Sequence, residues 1–69
     1  MKHPNGKKIK VLIVDDAAFM RKAIHDVLGR DPQIEVVGTA RNGLEGLEAI
    51  QQLHPDVITL DIDMPVMDG

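Results

Sequence analysis

The sequence contains no cysteine, no tryptophan and no tyrosine, and Phe19 is its single aromatic residue. Without thiols there is no disulfide staple and no thiolate metal site, which suits a reducing cytosol. One ring leaves nothing on which successive bases could stack. The net charge of −3, with scattered basic residues, argues further against a nucleic-acid surface. No apolar run approaches the roughly 20 residues a membrane span needs, so no membrane insertion is expected. Residues 1–7 read as a polar tail; Lys7 and Lys8 are adjacent, but no apolar region precedes a cleavage site, so this is not a signal peptide. Sixty-nine residues make at most one small domain, and a chain this short buries only about 60% of its unfolded surface. The composition points to a cytoplasmic protein.

Two apolar runs, each stopping at a carboxylate, organise the rest. Ile9-Lys-Val-Leu-Ile-Val14 ends at Asp15-Asp16, and Val57-Ile-Thr-Leu60 ends at Asp61-Ile-Asp63-Met64-Pro65. The first run has no polar alternation over Val11 to Val14, the pattern of a strand covered on both faces. Either aspartate after it could cap a following helix. That helix carries Phe19, Met20, Ala23, Ile24, Val27 and Leu28 at three- and four-residue spacing, with Arg21, Lys22, His25 and Asp26 on the other side. Gly29 is placed for its C-terminal cap, and Asp31-Pro32 forbids continuation. Ile34 to Ala40 reads as a second strand, with Glu35 suggesting an edge. Asn42 then caps a second helix with Leu44, Leu47, Ile50 and Leu53 inward. Gly46 costs that helix about 1 kcal/mol relative to Ala, so packing must compensate. Pro55 stops it before the third strand. His25 and His54 read as surface residues, His54 near a helix C-terminus where the dipole favours its charge.

The order β-α-β-α-β with short connections implies parallel strands and right-handed crossovers. If the two helices pack on opposite faces, the strand order is 2-1-3, a flavodoxin-like half-domain over residues 8–69. The first and third strands are then neighbours, and their carboxyl ends lie at the switch point where open α/β sheets bind ligands. Asp15 or Asp16 faces Asp61 across one strand spacing, about 5 Å. Two carboxylates 4 Å apart repel by about 4 kcal/mol at an effective dielectric near 20. Either one of the three takes up a proton or a hard divalent cation sits among them. Oxygen donors suit magnesium better than zinc, and no histidine pair has metal spacing. With a cation drawing charge from phosphoryl oxygens, Asp61 can attack phosphorus and form an acyl phosphate.

The acidic pair Asp15-Asp16, Asp61 after the third strand, Met64-Pro65 and Asp68-Gly69 resemble the amino-terminal half of a response-regulator receiver domain. Val11-Leu-Ile-Val-Asp-Asp-Ala-Ala-Phe-Met-Arg-Lys22, Val37-Gly-Thr-Ala-Arg-Asn-Gly43 and Asp56-Val-Ile-Thr-Leu-Asp61 are most similar to receivers of the chemotaxis methylesterase CheB, where the receiver regulates an attached protein-glutamate methylesterase. The resemblance implies Asp61 as phosphoacceptor, Asp16 as direct Mg2+ ligand, Asp15 assisting through water, and Asp63 supplying a backbone carbonyl. It implies a histidine kinase as phosphodonor and, in chemotaxis, the receptor array as a further partner. Two departures stand out. Ala17 occupies a position where these receivers usually carry Ser, so a possible cap is lost. The sequence also stops at Gly69, before the family's fourth and fifth strands with their phosphoryl-binding Ser/Thr and Lys, so a truncated receiver with impaired phosphorylation is expected; no Ser/His/Asp esterase machinery is present, so the expectation is also of a receiver that is not itself the esterase. A third strand left as a bare apolar edge is expected to self-associate into a homo-oligomer, for instance by pairing across a two-fold axis, or to be completed by a disordered remainder in a longer parent.

Blander readings stand beside these. Asp15-Asp16 alone would be a solvated helix cap, and Asp61 alone an ordinary strand end. Asp63 is open to simple solvation. Met64, Pro65 and Met67 read as loop-packing residues, the Phe19/Met20 stripe as core, and Thr39 and Thr59 as strand residues without a nucleophilic role. Two other functions compete. Asp61-Ile-Asp63 echoes the Asp-x-Asp of haloacid-dehalogenase-type phosphatases, but Pro65, the motif's place after the third strand and the idle Asp15-Asp16 oppose that reading. A self-assembling half-domain without phosphotransfer is the structural alternative. A dinucleotide-binding module is disfavoured because Asp-Asp-Ala-Ala stands where a Gly-rich turn is needed.

Overall fold

The computed structural model describes residues 7–61. Asp63, Met64, Pro65, Met67, Asp68 and Gly69 lie outside the described residues, as does most of the amino-terminal tail. The elements are β1 (Ile9–Asp15), α1 (Ala18–Leu28), β2 (Ile34–Ala40), α2 (Gly43–Leu53) and β3 (Val57–Asp61). The strands form one parallel sheet in the order β2-β1-β3. This is the β-α-β-α-β arrangement and strand order that the hydrophobic pattern predicts. Two right-handed crossovers leaving β1 in one direction and returning past it in the other put the helices on opposite faces of the sheet.

β1 is therefore enclosed on all sides. Val11, Leu12, Ile13 and Val14 are buried, and their side chains alternate between the two faces. Leu12 and Val14 point with Ala40 toward Ala49, Ile50 and Leu53 of α2. Val11, Ile13 and Asp15 occupy the opposite face. One residue of β2 is extra: Val11 pairs with Val36 but Leu12 with Gly38, so the ladder bulges at Val37. Gly38 sits where a Cβ would approach Leu53 Cδ1 to 2.8 Å, which lets the end of α2 close onto the sheet.

The inward stripe of α2 differs from the one read off the large residues. Leu44 and Leu47 are exposed, whereas Gly46 is the helix's buried residue. A Cβ at Gly46 would lie 3.2 Å from Val14 Cγ2. The helix thus approaches β1 closely through Gly46, Ala49, Ile50 and Leu53, an i, i+3, i+4, i+7 set whose first two members are small. This contact is the packing that offsets the helix cost of a glycine. For α1 the correction is similar. Phe19 is 79% exposed, and Met20 and Val27 are exposed as well, so the Phe19/Met20 stripe is not core among the described residues.

The helix ends follow local chemistry. Asn42 is the N-cap of α2, its Oδ1 accepting from Glu45 N at 2.8 Å. Glu45 reaches back to Arg41, accepting from its backbone N at 3.3 Å and its Nε at 3.0 Å, a reciprocal closure of the first turn. α1 has no such cap: Ala17 holds the N-cap position with no side-chain bond, so neither Asp15 nor Asp16 is the cap. Gly29 does end α1, but in right-handed geometry. His54 ends α2 in the left-handed region at φ 49°. Lys10 and Asp56 lock the amino end of the sheet through Asp56 N to Lys10 O at 2.8 Å and Lys10 N to Asp56 Oδ2 at 2.9 Å.

Candidate functional site

At the carboxyl end of the sheet β1 and β3 run in parallel register, with Asp15 opposite Asp61. Register partners on adjacent parallel strands project to the same face, so two aspartates 46 positions apart in sequence stand side by side. Asp16 follows immediately and is exposed, as is Asp61. Asp63 lies outside the described residues. Among the described residues, no three Asp, Glu, His or Cys side chains converge closely enough to hold a metal ion.

The two strand-ending aspartates differ sharply in environment. Asp15 is only 2% exposed. Its Oδ1 accepts the Ala17 N–H at 2.9 Å, tying the carboxylate to the turn that starts α1. Its Oδ2 is buried and has no hydrogen-bond partner among the described residues. A buried carboxylate oxygen left bare is strongly unfavourable in an apolar setting, because it has given up water for nothing. Oδ2 is thus an open acceptor beside Asp61.

A hard divalent cation fits this corner by donor chemistry. Magnesium keeps several waters and commonly uses one or two carboxylates together with phosphate oxygens, rather than a full protein cage. Asp15 and Asp61 are such a pair by strand register, and the buried Oδ2 is an oxygen donor without a hydrogen-bond partner among the described residues. All the donors are oxygen, which disfavours zinc.

Two residues near the site were not singled out by sequence reasoning. Arg21, which the helical period places on the solvent side, turns back so that its Nη1 donates to the Asp15 carbonyl at 2.8 Å. It holds the end of β1 against the first turn of α1 and brings a fixed positive charge beside the acidic residues. Thr59 carries a buried Oγ1 without a hydrogen-bond partner among the described residues; its place two residues before Asp61, on the same face of β3, was the available signal. The cleft lined by Lys7, Lys8, Lys10, Glu35 and Asp56 lies at the other end of the strands, away from these carboxylates.

The comparisons agree with this architecture. The response regulator receiver domain matches residues 11–69. Among curated relatives, the protein-glutamate methylesterase/protein-glutamine glutaminase of Geobacillus kaustophilus is 65% identical over 63 residues, 91% of this chain and 18% of that protein. The enzyme of the same name from Bacillus subtilis is 66% identical over 61 residues, 88% of this chain and 17% of that protein. The one from Pyrococcus horikoshii is 56% identical over 64 residues, 93% and 17% of the respective chains. The chain thus spans less than a fifth of the length of these relatives. The crystal structure of the response regulator domain of Thermotoga maritima CheB superposes with a TM-score of 0.81 at 49% identity, covering 91% of this chain and 47% of that one. A parallel 2-1-3 sheet that ends in paired aspartates, and a family match running from the first strand to Gly69, have one reading: the chain belongs to the response regulator receiver family, as a receiver of the CheB type.

Proposed function

We propose that this receiver is a phospho-accepting switch in which Asp61 takes the phosphoryl group. The observation that carries the reading is the register of Asp15 with Asp61 at the carboxyl ends of β1 and β3, with Asp15 Oδ2 buried and bare beside it. In the proposed reaction a carboxylate oxygen of Asp61 attacks the phosphorus of a phosphohistidine on a histidine kinase. The new O–P bond forms as the P–N bond breaks, and the imidazole nitrogen keeps the electron pair. Bound Mg2+ would neutralise the phosphoryl oxygens during transfer. Asp15, Asp16 and Asp61, with the backbone carbonyl of Asp63, are the residues proposed to hold it. Asp15 is positioned for that role by its bond to Ala17 N, and Arg21 fixes the strand end that carries it.

The test is acyl-phosphate labelling by acetyl phosphate or a phosphorylated kinase, followed by intact mass. Wild type gains one phosphoryl group in a Mg2+-dependent manner, and Asp61→Asn gains none. Labelling of Asp61→Asn to the wild-type level sinks the assignment. Slow turnover of p-nitrophenyl phosphate without accumulation of label would favour the phosphatase reading instead.

The relatives are named as methylesterases and glutaminases; we propose that the phosphorylated receiver regulates such an activity in a chemotaxis pathway in the cytoplasm and does not catalyse it. Among the described residues, no helix is long and apolar enough to cross a membrane. A second reading, that β3 also mediates self-association, is supported by the exposure of Val57, Ile58 and Leu60. Sedimentation of the protein at increasing concentration separates it from a monomeric switch.

A further inference from the structure

Two buried oxygen atoms in the described residues have no hydrogen-bond partner, and they lie within one register step of each other: Asp15 Oδ2 and Thr59 Oγ1. Ile13 pairs with Thr59 and Asp15 with Asp61. Alternation along each strand therefore puts Ile13, Asp15, Thr59 and Asp61 on one face, with Asp15 and Thr59 as diagonal neighbours across β1 and β3. Adjacent strands lie about 4.8 Å apart and a two-residue step along one adds about 6.6 Å, so such a diagonal spans about 8 Å between Cα atoms. Side-chain oxygens on such a pair that do not bond directly are in range of each other through one bridging water. The chemistry is complementary. A threonine hydroxyl carries a proton that burial obliges it to donate, and an ionised carboxylate is acceptor-only. Neither atom makes a hydrogen bond among the described residues.

We propose that Thr59 is a positioning residue for the acidic site: its hydroxyl donates to a single water that in turn donates to Asp15 Oδ2, and the link holds the carboxylate in the orientation that faces Asp61. The link completes a set of restraints on Asp15. Ala17 N holds Oδ1, Arg21 holds the main-chain carbonyl, and Thr59 holds Oδ2. A carboxylate fixed at both oxygens presents its remaining lone pairs in one direction, which matters for a cation that demands near-ideal octahedral geometry. This inference rests on the reading of Asp15 as part of a cation and phosphoryl site, but its structural core does not.

The experiment uses the full-length protein with Thr59→Val, which keeps the shape and deletes the hydroxyl, and Thr59→Ser, which keeps the hydroxyl. In the metal-free protein, the Asp15 side-chain carboxyl 13C resonance and the Ala17 amide proton report the link without reference to activity. Both are expected to move in the Val variant and to return toward wild type in the Ser variant. Mg2+ titration by calorimetry is expected to show binding weakened about 5-fold by Val and restored by Ser. If Thr59→Val does not fold, Thr59→Ala serves the same comparison. Resonances that stay in place in the Val variant, together with a raised melting temperature, would mark Thr59 as an idle buried hydroxyl and overturn the proposal. If wild type binds no Mg2+ and takes no phosphoryl group, the proposed function fails, and the two resonances alone then decide the role of Thr59.

Discussion

β1 and β3 are built alike and end up in opposite circumstances. Each is a run of aliphatic, largely β-branched residues closing on an aspartate, and each contributes its aspartate to the same end of the sheet. Yet Leu12 in β1 is completely buried while Leu60 in β3 is 68% exposed. The strand residues did not decide this. β1 lies between two neighbours and beneath both helices, whereas among the described residues β3 has β1 on one side and no helix packed against it. The contrast extends to the carboxylates: Asp15 is sealed in with one oxygen bare, and Asp61 stands open to reagents.

The largest expected effect probes that contrast directly. Leu12→Ala removes side-chain volume from a site that cannot collapse and is expected to lower stability by about 2–5 kcal/mol. Leu60→Ala, at an exposed position, is expected to change it by less than about 1 kcal/mol. Urea unfolding of both variants checks the pair, and equal losses would mean that β3 is covered in solution.

A smaller effect separates the two aspartates. Asp15→Asn keeps an oxygen for Ala17 N but replaces the acceptor Oδ2 that the proposed Thr59 link uses, and is expected to destabilise by about 1 kcal/mol. Asp61→Asn, being exposed, is expected to stay within about 0.5 kcal/mol of wild type. Thermal unfolding without added metal reads both. A stabilised Asp15→Asn would mean that Oδ2 has no partner in solution and would count against the Thr59 link.

The smallest effects belong to the corners after β1 and β2. Asn42→Ala removes the cap of α2 and is expected to cost about 1 kcal/mol, while Ala17→Ser at the uncapped start of α1 is expected to add about 0.5 kcal/mol. Circular dichroism during thermal unfolding measures the two with opposite signs. A neutral Ala17→Ser would mean that the Asp15–Ala17 bond already satisfies that corner.

Much of this was legible before any coordinates. Residues 11–14 read as a doubly covered strand because they lack polar alternation, and they are buried on both faces. Asn42 announced the start of α2, and Pro55 its end. The strand order followed from two short crossovers of fixed hand, and with it the meeting of Asp15 and Asp61. What misled were large apolar residues on the helices. Leu44, Leu47 and Phe19 repeat at helical spacing, and the period alone cannot say which of two neighbouring stripes turns inward. Gly46 and Ala49 won on α2 because small residues permit the closest approach to Val14. Arg21 and Thr59 stayed hidden for a related reason: a polar residue on a helix or strand looks solvated until its neighbours are known.

The linear sequence determined the element types, their order and their parallel sense, because these depend on periodicity, caps and breakers within a dozen residues, and on the handedness of L-amino-acid chains. It also carried the acidic pair and the lone Asp61 that mark the family. Only the tertiary structure decided which aspartate is enclosed and which is open, and which helix face meets the sheet. It alone brought the hydroxyl of Thr59 to the same face as Asp15. Those outcomes depend on how distant segments compete for the same buried volume, and burial is a property of neighbours in space.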